Sequence, residues 1–308
     1  MTLPGAPARE SLAAPSGLDA VLLAIALTGV SFSGPIMAAT AAPALAIAFW
    51  RNAFGGGVTA LVASVRSHRE LRALPARSWR LSALAGVALA AHFGLWIPSV
   101  TMTSIASSVA LVSTQTVFTA GIAQLSGRTL PRLAWLGMVL ATVATALITG
   151  ADVGHSWRAV LGDLLAVAGG FCAAVYVTIG AAARTRLSTA AYTVICYATC
   201  ALLLLAVCLI GRVQLVGFSG NAWLKIAAVT ICAQLLGHSL INVVLRSTSA
   251  TVVSMAILLE VPGAALVAAV WLAQRPPLSA VPGIVLLLGG LVLVASSRNH
   301  DDPVESTE

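Results

Sequence analysis

Charge is scarce in this sequence. Asp, Glu, Lys and Arg make up 9% of its 308 residues, against ~25% in a typical soluble domain. Hydrophobic residues make up 59%, and the mean hydropathy is +0.97. A soluble chain of this length could not hide that much apolar surface, so the class is a polytopic membrane protein. Lysine is almost missing: Lys225 is the one Lys among 17 basic residues. No basic run is interleaved with aromatics, so the net charge of +7 reads as charged loops and not as a nucleic-acid face. The five Cys lie inside apolar runs with no His or acid at ligand spacing, which argues against zinc or a disulfide framework. Paired carboxylates and an HExxH pattern are also missing, so an intramembrane enzyme is disfavoured and no cofactor is expected. Gly55–Gly57 and Gly169-Gly170 carry no Lys-Ser/Thr; they read as close helix packing and not as a phosphate cradle for ATP.

What is present is a series of long apolar runs. Ten spans fit, roughly residues 18–40, 44–65, 81–100, 104–125, 133–149, 160–183, 190–210, 222–245, 250–273 and 278–296. Polar connections marked by Pro or Gly separate them. Residues 1–17 read as a disordered tail without the pattern of a signal peptide, and residues 298–308 as an acidic tail. If the N-terminus is inside, twelve Arg fall in inner segments and four basic residues in outer ones, with Arg51 inside the second span. That bias places both termini in the cytoplasm, in a plasma-membrane protein.

The ninth span, SATVVSMAILLEVPGAALVAAVWLAQ, carries one carboxylate, Glu260, near its middle. Such a residue costs at least ~2.5 kcal/mol on insertion scales, and Pro262 two places on removes a backbone donor. Either Glu260 faces a polar interior, binding a cation or carrying a proton, or it is a structural group bonded to a backbone carbonyl. Arg51 must snorkel outward or meet water, an anion or an acidic partner. His92 and Trp96 are four apart and share a helix face, and His238 and Asn242 repeat that spacing. Ser113, Gln115 and Thr116 share one side of the fourth span, and Tyr176 and Gln234 are further intramembrane polar residues. Six of the Trp sit near span ends, where an interfacial belt is the default.

Aligning His92 with His238, an offset of 146, also pairs Thr101 with Ser247, Thr103 with Ser249, Ser108 with Ser254 and Thr116 with Pro262. Residues 18–150 and 151–297 then form two halves of five spans. An odd number of spans per half requires opposite insertion, an inverted repeat of the kind found in alternating-access carriers.

Several stretches resemble the EamA-type transporters of the drug/metabolite transporter superfamily: AIAFWRNAFGGG, the His92–Trp96 segment with its Thr/Ser-rich turn, STQTVF, LGDLLAVAGGFCAAVYV and LLEVPGAALVAAVWL. The likeness spans about residues 18–297 in order. It implies an all-α fold of ten transmembrane helices in two EamA repeats around a central cavity. Two departures stand out. Gln115 is followed by Thr116 where relatives carry Pro, and spans four and nine lack the terminal Gly-Glu-Arg, reading Ser126-Gly127-Arg128 and Ala273-Gln274-Arg275.

The expectation is therefore a secondary transporter that exports a small metabolite, an amino acid or related amphipathic compound, without an obligate protein partner. Glu260, His92, Trp96, Gln115, Ser113, His238, Asn242, Tyr176 and Arg51 are its candidate substrate-binding residues, and a proton is the candidate coupling ion. The alternative is a drug or lipid-linked translocase of the same fold, with a cavity open sideways to lipid.

Overall fold

The computed structural model describes residues 15–103, 105–148, 157–273 and 280–296. Most of the N-terminal tail and all of the acidic tail lie outside these residues. Every regular element among them is helical. Eight helices are long and apolar enough to cross a membrane. They are α1 (Gly17–Ala38), α2 (Ala44–Arg66), α3 (Ala76–Ser99), α4 (Ser107–Leu125), α6 (Trp157–Arg184), α7 (Thr189–Ile210), α8 (Gly220–Val244) and α9 (Ala250–Trp271). Between and after them come α5 (Arg132–Ile148) and α10 (Ala280–Ser296), 17 residues each.

Apolar side chains face outward along these helices. Leu61, Val65, Leu202, Leu266, Val270, Val285 and Val292 are all more than half exposed, which water would not tolerate over so wide a surface but lipid would. The inner faces are built for close approach. A Cβ on Gly170 would stand 2.7 Å from the Val112 carbonyl oxygen, so α6 can lie against α4 only because that position is Gly. α3 packs along α6, as α8 packs along α1. α4 packs on α6, and α9 packs on α1. α2 meets α7, α4 meets α9, and α5 runs beside α10.

Four helices break regularity at their middles, each for a local reason. α1 divides at Phe32, where Pro35 cannot donate to the Ser31 carbonyl. α9 divides at Leu258-Leu259, where Pro262 displaces the carbonyl of Leu258 and the turn tightens to i→i−3 bonds. α4 divides at Ser113-Thr114 without a Pro. Here the Ser113 and Thr114 hydroxyls donate to the carbonyls of Val109 and Leu111 and compete with the helix ladder. In α8, Thr230–His238 winds as a π-helix, a geometry that recurs at functional sites. Membrane helices keep such irregular backbone where it is buried in protein or lines a cavity.

Candidate functional site

The irregular turns surround one cavity. Its volume is about 40 Å³, room for a few waters and well under the ~300–1,000 Å³ of small-molecule pockets, so this conformation holds it nearly closed. Its polar wall comes from His92 and Trp96 on α3, Ser113 and Gln115 on α4, Tyr176 on α6, His238 on α8 and Glu260 on α9, with Ser33 from α1. Val30, Val112, Val177, Ile241 and Ile257 supply the apolar wall.

The helix geometry explains how each group arrives. His92 and Trp96, one turn apart, stack at 5.6 Å between centroids and 8° between planes. His92 Nδ1 lies 3.0 Å from the Gly169 carbonyl oxygen. A carbonyl only accepts, so Nδ1 holds the proton and the other ring nitrogen of a neutral His92 is an acceptor. His238 meets His92 edge-on at 6.3 Å and Tyr176 at 6.0 Å. Glu260 opens the second half of α9, where the positive end of the half-helix favours a carboxylate. Gln115 opens the second half of α4 in the same way.

Several buried groups have no protein partner. Among the described residues, Trp96 Nε1, Gln115 Nε2 and His238 Nδ1 are buried without a hydrogen bond. Leaving a buried polar group unmatched costs about 1–3 kcal/mol, so each of the three calls for water or a ligand. The Trp96 and Gln115 nitrogens can only donate. Glu260 supplies acceptor oxygens on another wall. The site thus suits a small molecule with acceptor oxygens at one place and a donor or cationic group at another.

Arg51 and Asn242 stand behind this wall and do not line it. Arg51 is fully buried, which excludes snorkelling among the alternatives open to it. Neighbouring side chains hold it instead. Its Nε donates to Gln234 Oε1 at 3.1 Å, its Nη1 lies 3.5 Å from Ser33 Oγ, and the guanidinium sits 4.3 Å over the Phe93 ring. Gln234 in turn donates to Asn52 Oδ1 at 3.0 Å. Asn242 donates to the Tyr176 hydroxyl at 2.7 Å and fixes that ring from outside the cavity.

Sequence reading missed two features. Ser33 reaches the cavity from the break in α1; its signal was the Ser-Phe-Ser-Gly-Pro run. A hydroxyl layer joins α4 to α9 just beyond the cavity. Thr116 Oγ1 donates to the Ser254 carbonyl at 3.0 Å, and the hydroxyls of Thr119 and Ser254 lie 3.1 Å apart.

No curated protein matches the sequence. A solved crystal structure is similar in fold, with a TM-score of 0.74 over 92% of this chain and 99% of its own, at 18% identity. Residues 160–296 match the model described as the EamA-like transporter family.

Proposed function

We propose that this chain, whose residues 160–296 belong to the EamA-like transporter family of the drug/metabolite transporter superfamily, is a secondary carrier. Its cargo is a small amphipathic metabolite of the amino-acid type, which it exports across the plasma membrane. One observation carries this reading. Five helices send His92, Trp96, Ser113, Gln115, Tyr176, His238 and Glu260 to one cavity.

The mechanism is alternating access between two inverted halves of five spans, counting α5 and α10 as the fifth and tenth. The packing supports this arrangement: α3 with α6 is answered by α8 with α1, and α4 with α6 by α9 with α1. The breaks in α4 and α9 fall within one residue of each other under the offset of 146, and the matched His92 and His238 rings meet across the cavity. Glu260 receives the cationic group or a coupled proton, and Trp96 and Gln115 donate to acceptor oxygens. The Arg-rich connections at one end of the bundle are cytoplasmic, as are both termini.

The test is counterflow of labelled amino acids in proteoliposomes. The wild type exchanges at least one of them. Glu260→Gln, of equal size, loses about tenfold or more in rate and loses any dependence on a proton gradient. Unchanged exchange and unchanged pH response in that variant would remove Glu260 from the mechanism.

A further inference from the structure

A second cavity lies one helical turn beyond the first along α4, past the Thr116–Ser254–Thr119 layer. It is a partly open cavity of about 400 Å³ and sits where α4, α6 and the α8–α9 turn end together. Its wall is mostly Ser and Thr, and its charged lining residues are Arg128 and Arg246, both exposed. Ser249 and Thr251 bring the N-terminus of α9 to the same wall, with Ser249 Oγ accepting from Val252 N. The nearby acid Asp19 stands outside the wall and accepts from Ser247 Oγ at 2.8 Å. In the α6 wall, Thr178 Oγ1 is buried without a hydrogen-bond partner among the described residues.

We infer that this vestibule is a second binding site, for an anionic oxygen group, carboxylate or phosphate. While the hydroxyls of Thr119, Ser126, Thr185 and Ser247 donate elsewhere, two arginines, the N-terminus of α9 and the unpartnered Thr178 hydroxyl meet on one space that no acid lines among the described residues. Each of these elements favours an oxyanion, and the Arg forks favour it bidentately. The central cavity has the opposite bias, with Glu260 as its charged lining residue. The two sites therefore take different ends or different stages of a cargo. That place in transport rests on the carrier reading, but occupancy of the vestibule does not. The oxyanion has two sources, a soluble carboxylate or the headgroup of an anionic lipid at that end of the bundle.

The experiment is fluorine NMR of trifluoroacetate with the full chain in phosphatidylcholine nanodiscs. The wild type broadens the line. Arg128→Gln/Arg246→Gln weakens the binding about tenfold, Arg128→Lys/Arg246→Lys keeps most of it, and Glu260→Gln leaves it intact. Adding phosphatidylglycerol assigns the source. Loss of the broadening makes the headgroup the natural occupant, and persistence makes it a soluble anion. Equal broadening in the double Gln variant, no broadening with the wild type at tens of millimolar, or loss in Glu260→Gln would overturn the site. Failure of the carrier reading shows separately, as absence of counterflow by the wild type while trifluoroacetate still binds.

Discussion

At the scale of single residues, the groups that line the cavity and those that support it should part under substitution. Trp96 Nε1 has no protein partner, so Trp96→Phe keeps the stacking on His92 and removes a donor that only a ligand uses. We expect a KM raised about tenfold, with a melting midpoint within ~2 °C of the wild type. Arg51 differs in that its Nε donates to Gln234, although its Nη2 is buried without a partner among the described residues. Arg51→Ala leaves Gln234 without its donor and opens a void beneath Phe93, costing about 2–4 kcal/mol. Arg51→Met fills the space and removes a buried charge, so it should cost clearly less. Denaturation of both variants in detergent checks the order, and a larger loss for Met would refute it.

At the scale of elements, the cavity depends on helices that stop being regular at one level. Gly170→Val should drive α6 from α4, because its Cβ would begin 2.7 Å from the Val112 carbonyl oxygen. We predict a loss of about 2 kcal/mol or more, together with loss of transport. The break in α9 was legible in the sequence, since Pro262 announces it. The break in α4 was not, because Ser and Thr satisfy themselves on nearby carbonyls and leave no energetic anomaly in the pattern. The Thr116–Ser254 layer escaped notice for the same reason. The π segment of α8 left no trace either, since its apolar pattern fits an α-helix as well. Glu260, His92, His238, Gln115 and Arg51 stood out because each is costly in an apolar span. What sequence could not supply was which of them face the cavity. Arg51 was resolved only by contacts with Gln234, Ser33 and Phe93, which lie on three other helices.

At the scale of the whole molecule, the proposed carrier opens one cavity to alternate sides, and the Arg bias of its connections predicts which end is cytoplasmic. An impermeant thiol reagent should label Ser126→Cys from the cytoplasmic face and Gln214→Cys from the other, both positions being exposed at opposite ends of the bundle. The reverse pattern would invert the orientation. The most direct measurement places the same reagent at Ser113→Cys, in the cavity wall and 3% exposed. The account predicts labelling from either face of the membrane in separate experiments, because each conformation admits water from one side. A thiol there that stays unreactive from both faces, while Ser126→Cys labels normally, would contradict it.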